Sequence, residues 1–430
     1  MTFEPLYTAD EMRAAEAGHD VDAMMQRAGA AVAEEAARRF PDARRILLVA
    51  GKGANGGDGR IAAELLRAHG CELVDERPEL VLDALLGTGL TGAPRDDVAR
   101  EIERINSAGA PVLAVDVPSG VNASTGEVGG AAVRADLTVT MHGRKVGLVV
   151  APGRFHAGEV VVADIGLEPG ATERALVTEE ILAHVPRKRA QDTKYSAGSV
   201  LVVGGARGMT GAAALAARAA FRADAGYVAI AAPQESLPVL ETLVVEAVKR
   251  PLEQVFDAAD RAGALALGPG LGRDRKQLVR QLLTETDLPA VVDADALHDL
   301  EPFERDGATV LTPHAGELAR LIGETSAWVD AHRLEALDRA VDRYACAVLL
   351  KGADTLVRAP GEGTWVVGGD APQLATAGTG DVLTGIVAAF LAKGMDARSA
   401  AGAAAVLHRR AARARERGLV AGDIADALWT

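Results

Sequence analysis

A chain of 430 residues is long for one domain and comfortable for two. Nearly half of it is apolar, with abundant Gly and Ala and few aromatics, a composition that suits closely packed α/β layers. The net charge of −14 argues against a nucleic-acid surface, and Cys71 and Cys346 are too few and too far apart for a disulfide framework or a zinc site. With neither a leader-like N-terminus nor an apolar run of ~18 residues, a cytoplasmic protein without membrane partners is expected.

Residues 9–39 read as one helix, closed by Pro41. A short apolar strand over 46–50 runs into Gly51-Lys52-Gly53-Ala54-Asn55-Gly56-Gly57-Asp58-Gly59, and a helix follows from about Arg60 to His69. Strand, glycine-rich turn and helix in succession bring backbone amides close to phosphate, although Gly51, Gly53 and Gly56 match the dinucleotide spacing by count alone. The next strands are 80–84, ending in Leu85-Leu86-Gly87-Thr88-Gly89; 111–117, ending in Pro118-Ser119-Gly120; and 137–140, leading to Lys145. Asp83 and Asp116 fall at carboxyl ends of parallel strands, where open α/β sheets bind ligands. Asn55, Asp83 and Ser119 offer hard oxygens for part of a cation site; for any single Asp, a cap on the following loop is the competing reading.

Gly166, Pro169-Gly170, Pro186 and the basic run Arg187-Lys188-Arg189 mark a joint, dividing the chain into 1–175 and 176–430. The basic run reads as solvated linker charge or as an attractor of substrate phosphate. Beyond it, strands are predicted over 200–203, 227–232, 264–267, 290–293, 309–312 and 347–350, with helices over 212–223, 277–283 and 334–343. Such alternation predicts a mostly parallel sheet covered on both faces. Its strand ends again carry polar motifs: Gly268-Pro269-Gly270-Leu271-Gly272, Asp293-Ala294-Asp295, Thr312-Pro313-His314 with Glu317 close by, and Lys351-Gly352-Ala353-Asp354-Thr355. Alone, His314 is as readily a packed histidine and Lys351 a solvated one.

The stretch that draws these together is Ala375-Thr376-Ala377-Gly378-Thr379-Gly380-Asp381, a small-residue turn entering an apolar helix-forming run. Outward amides and a helix N-terminus make an anion hole, and Asp381 at its mouth can take a proton from a hydroxyl, which suits phosphoryl transfer to an alcohol. The competing reading is an ordinary helix cap.

Asn55-Gly56-Gly57-Asp58-Gly59, Asp83 through Gly89 and Val115 through Gly120 together resemble the NAD(P)H-hydrate epimerase domain, the YjeF N-terminal family, over about residues 5–170. The resemblance implies a Rossmann-like α/β/α sandwich in which Ala54, Asn55, Gly56, Gly57, Asp58, Gly87, Thr88 and Gly89 hold a hydrated nicotinamide nucleotide. Asp116 would move the proton that inverts C6, and K⁺ would sit on Asn55, Asp83 and Ser119. Ala54 stands where that family has Asn, and the stretch from His69 to Leu80 is short, so the sheet is expected to have lost elements and epimerisation to be degraded or intact.

From about Arg187 onward the chain resembles the ADP-dependent NAD(P)H-hydrate dehydratase, the YjeF C-terminal family of ribokinase-like α/β/α proteins. By that resemblance Ala212, Gly270, His314 and Asp381 contact the hydrate, while Lys351, Gly352, Ala353, Asp354, Thr355 and Gly380 hold ADP (or ATP) with Mg²⁺. His298, Ala315 and Thr193 depart from the family's usual Asn, Pro and His. The expectation is a homo-oligomeric repair enzyme, isomerase and lyase in one chain, acting on NAD(P)H hydrate. Two alternatives stay open: a vitamin-precursor kinase of the same superfamily, and a non-catalytic nucleotide-binding or assembly role for the N-terminal half.

Overall fold

The computed structural model describes residues 3–429. The chain forms two units, one of Pro5–Ala175 with Asp330–Arg333, the other of Leu176–Val329 with the chain from Leu334 onward and the described residues before Pro5.

The first unit is built on a parallel sheet in the order Glu72–Leu73, Arg45–Ala50, Leu80–Ala84, Val112–Val115, Leu137–Met141, Glu159–Ala163. Successive strand residues point to opposite faces, so alternate apolar positions feed two cores. Leu80 and Leu82 pack with Val32 and Ala36 of helix Val21–Arg39 and with Ala62 and Leu66 of helix Ala54–Ala68. Val81 and Val112 pack with Ile102 and Ile105 of helix Asp96–Asn106. The result is an α/β/α sandwich, with strands apolar throughout because neither face meets water.

Three expectations need correction here. The single helix over 9–39 is two, Ala9–Glu16 and Val21–Arg39: Gly18 adopts the left-handed conformation and Asp20 caps the second helix, accepting from the Ala23 amide. The helix expected near Arg60 begins at Ala54, so Asn55 through Gly59 are its opening turns rather than a loop. The short stretch after His69 keeps a strand, Glu72–Leu73, paired in parallel with Arg45 and Ile46; what it lacks is a helix before Leu80. Strand Glu159–Ala163, missed in the pattern, pairs residue by residue with Leu137–Met141 at the sheet edge.

The second unit carries a larger sheet, ordered Val248–Pro251, Tyr227–Ala232, Ser199–Val203, Ala264–Leu267, Ala290–Val292, Thr309–Leu311, Ala347–Leu350 and all parallel. Thr355–Arg358 and Trp365–Val367 then extend it as an antiparallel hairpin that the expected alternation did not contain. Helices Thr210–Arg222 and Thr379–Ala392 cross closely at Gly385, where any Cβ would run into the Ala216 carbonyl. Helix Ala397–Ala412 is buried along almost its whole length, so the Ala-rich helices find their cover inside the unit. Both sheets reverse strand order once, after Arg45–Ala50 and after Ser199–Val203, and such switch points open crevices at the carboxyl edge. Among the described residues no helix is long and apolar enough to cross a membrane.

Two candidate active sites at the sheet edges

In the first unit, Ala54, Asn55, Gly56, Asp58, Gly87, Thr88, Gly89 and Asp116 line one cavity of about 450 Å³, together with Glu16, Lys52, Met24 and Met25. Gly57 lies behind the lining, against the end of the Met25 side chain. Asp116 has φ of 67°, an unusual conformation for a non-glycine residue and the kind of local strain that clusters at functional sites. Its Oδ1 accepts from Lys145 Nζ (2.6 Å), Thr140 Oγ1 (3.0 Å) and the Met141 amide (3.1 Å), while Oδ2 takes no hydrogen bond among the described residues. Lys145 is 1% exposed and also donates to the Met141 carbonyl at 2.7 Å. This buried cation holds one oxygen of Asp116 in place and leaves the other for chemistry.

Asp58 shares that cavity. Burial, reinforced by the charges of Asp116 and Glu16 and partly offset by Lys145, pushes its carboxyl up to about 7. Asp83 and Ser119 are not in the lining but beneath it. Asp83 is fully buried, which raises its carboxyl to about 6 against the pull of the Ser119 and Leu85 bonds. Its Oδ1 accepts from Ser119 Oγ at 2.6 Å and its Oδ2 from the Ser119 amide at 2.8 Å. Asn55 donates through Nδ2 to the Leu86 carbonyl at 2.8 Å, yet its buried Oδ1 has no partner among the described residues. A buried acceptor without a donor suits a cation, and the surrounding oxygens are hard ones, so the residues present fit K⁺.

In the second unit the chemistry converges on the start of helix Thr379–Ala392. Gly378, at φ of 87°, turns the chain into the helix without a side-chain cap. The first-turn amides of Gly380 and Asp381 have no partner among the described residues, and Asp381 accepts none of them, so it is not a cap. Burial and the nearby charge of Asp293 push the Asp381 carboxyl up to about 7; Lys351 opposes that rise, while Asp295 and Glu317 add to it. Lys351 Nζ bonds Asp293 Oδ1 at 2.7 Å and lies 3.7 Å from Glu317. Burial alone would lower the Lys351 pKa, but Asp293 and Glu317 carry it above the ordinary lysine value. Thr384 Oγ1, one turn into the helix, donates to Asp293 Oδ2 at 2.7 Å.

Gly380 lies against this cluster: a Cβ there would sit 3.5 Å from Lys351 Nζ and 3.7 Å from Asp293 Oδ2. His314 caps helix Ala315–Ile322, its Nδ1 accepting from the Gly316 amide at 3.0 Å, and its Nε2 lies 3.6 Å from Glu317. Gly270 and Ala212 meet at the switch point, a Cβ on Gly270 falling 3.2 Å from that of Ala212. Gly352 and Ala353 are exposed, Asp354 is fully buried, and Thr355 opens the hairpin. Of the two thiols, Cys346 is buried and pushed up to about 12, an inert group. Pattern reading gave no role to Lys145, Thr140, Glu16 or Thr384, all of which act on a named aspartate through space.

Comparison with known proteins agrees with both halves. The family described as NAD(P)H-hydrate dehydratase matches residues 200–428. The YjeF-related protein N-terminus matches 21–76 and 72–147, two pieces meeting where the chain skips a helix. A bifunctional NAD(P)H-hydrate repair enzyme Nnr from Moorella thermoacetica is 36% identical over 94% of this chain and 91% of its own. One from Salinibacter ruber is 41% identical over 82% of this chain and 71% of its own. Among solved structures, an ADP/ATP-dependent NAD(P)H-hydrate dehydratase from Bacillus subtilis, co-crystallised with ATP/Mg²⁺, is similar at a TM-score of 0.54 and 29% identity, covering 59% of this chain and 95% of its own.

Proposed function

The chain belongs to the family of bifunctional NAD(P)H-hydrate repair enzymes, and from that premise we propose that each unit performs one step of the repair. The first unit interconverts R- and S-NAD(P)H hydrate. The second dehydrates the S form with ADP or ATP. The observation that carries the second assignment is Asp381, a carboxylate with raised proton affinity beside unpartnered first-turn amides and Lys351.

Asp381 removes the proton of the C6 hydroxyl, and the oxygen attacks the terminal phosphorus of ADP, expelling AMP. The Gly380 and Asp381 amides and the helix N-terminus hold the charge that develops on the phosphoryl oxygens. Phosphate then leaves C6, pushed by the ring nitrogen lone pair, and loss of a C5 proton restores the dihydronicotinamide. Hydroxide leaves poorly and phosphate well, which is the reason for the detour. Mg²⁺ would be held mainly by the nucleotide phosphates, where it would neutralise phosphoryl charge, because Lys351 already engages the Asp293 and Glu317 carboxylates. The decisive assay gives the full-length protein S-hydrate, ADP and Mg²⁺. Recovery of NADH absorbance with one AMP and one phosphate per turnover is expected, whereas a kinase would accumulate phosphorylated hydrate. Because Asp381 must be ionised to act, kcat should fall about tenfold per pH unit below about 7 and level off above it. A flat profile from pH 5 to 8 would remove Asp381 as the base.

In the first unit, Asp116 Oδ2 takes the hydroxyl proton from the hydrate, the C6–N1 bond breaks to leave a planar aldehyde carbon and an anion on N1, and N1 adds back to the opposite face as the proton returns to the oxygen, while Lys145 holds the carboxylate. K⁺ would be held by Asn55 Oδ1 over the Asp83–Ser119 pair and would fix the Leu86 loop. KCl in place of NaCl is therefore expected to raise the melting temperature of this unit, by about 2–4 °C for each 1 kcal/mol of binding. Asn55→Leu should abolish that difference; its survival would place the ion elsewhere.

A further inference from the structure

The geometry points to a positioning role for His408 and Arg409, on helix Ala397–Ala412, which join the nucleotide loop 351–355 to the turn that carries Asp381; the inference rests on the dehydratase reading above. Arg409 is 5% exposed, an unusual place for a guanidinium. It donates from Nη1 to the Gly369 carbonyl and from Nη2 to the Ala353 carbonyl at 3.2 Å, so one planar fork spans two loops. The neighbouring His408, also buried, bonds the main chain at Thr379, the first residue of the Asp381 helix. Its Nε2 has no partner among the described residues. Burial, with help from Arg409 and Lys351, pushes the imidazole down to about 4, so it remains neutral at the pH of catalysis. One turn on, Arg413 Nε donates to the Asp370 carbonyl at 3.3 Å. Gly369, at φ of 96°, admits both arginines: a Cβ there would come within 2.7 Å of Arg413 Nη2.

Neither His408 nor Arg409 touches a reacting atom. With Arg413 they tie three segments, 351–355, 369–370 and 379–381, to the last turns of a helix that is buried along almost its whole length. ADP settling on the first segment thereby also orders the third, where the base sits.

The test uses the full-length protein with ADP, Mg²⁺ and S-hydrate. Arg409→Met should raise KM for ADP about tenfold or more, as expected for losing hydrogen bonds to a charged donor. KM for the hydrate and the rate of epimerisation should stay within about twofold. Arg409→Lys, which keeps the charge but not the fork, should fall between. A folded Arg409→Met protein with unchanged KM for ADP overturns the inference. If that variant does not fold, amide hydrogen exchange on the unmutated protein decides. Adding ADP with Mg²⁺ should protect 351–355 and, with it, 369–381; protection confined to 351–355 overturns the inference. Exchange needs no turnover, so an unmutated protein that binds ADP but never regenerates NADH would count against the dehydratase reading alone.

Discussion

Asp381→Asn is expected to lower dehydration turnover by about 10³-fold, in the range of a lost general base, while ADP still binds. The substitution keeps shape and leaves Lys351 paired with Asp293 and Glu317, so the fold should tolerate it. It should even gain stability at alkaline pH. The folded protein holds the Asp381 carboxyl near 7, above its unfolded value. Stability associated with its protonated form is therefore complete below pH ~4 and is lost as pH rises through about 7. Asn has no such loss. After discounting for partial exposure, the gain is about 1 kcal/mol, or about 2–4 °C in melting temperature at pH 8, vanishing by pH 4. Turnover within threefold of the parent would remove Asp381 from the chemistry, and a stability gain independent of pH would refute the electrostatic account.

Asp116→Asn is the counterpart in the first unit. It should cut epimerisation by about 10²–10⁴-fold, leaving dehydration of pure S-hydrate unchanged. The pair with Lys145 adds a structural effect that can be separated from the chemical one. Lys145 is 1% exposed, and without the carboxylate it retains, among the described residues, only Thr140 Oγ1 and the Met141 carbonyl. Breaking a buried pair from one side costs about 3–5 kcal/mol, toward the low end here because Asp116 reaches the cavity. Asp116→Ala should therefore destabilise this unit in urea, whereas Asp116→Ala with Lys145→Met should recover most of the stability and none of the activity. Recovery of both would make Asp116 a structural residue.

What pattern could reveal divides along a physical line. Apolar runs such as Leu80–Ala84 and Val200–Val203 announced strands because a doubly covered strand has no polar side to show. Asp83, Asp116, Asp293 and Lys351 stood at strand ends, and the carboxyl edge of a parallel sheet is a fixed place. The helical state of Asn55 through Gly59 was hidden: a glycine run has poor helix propensity, and no local pattern records that Gly56 packs against the Gly51 carbonyl. The break at Gly18 was visible in hindsight as a left-handed glycine followed by an Asp cap. Lys145 and Arg409 were out of reach for another reason. Their partners, Asp116 and the Ala353 carbonyl, lie far away in the chain, and no local rule connects them.

Helix Ala397–Ala412 lies downstream of the short strand-end and turn motifs, the last of which ends at Asp381. A fragment trimmed at Ala392 would keep each of those short motifs and still have lost the Arg409 and His408 contacts to loop 351–355 and to Thr379. Those short motifs alone therefore do not define the folded nucleotide site of this chain, which also takes the buried His408–Arg409 pair at the end of helix Ala397–Ala412.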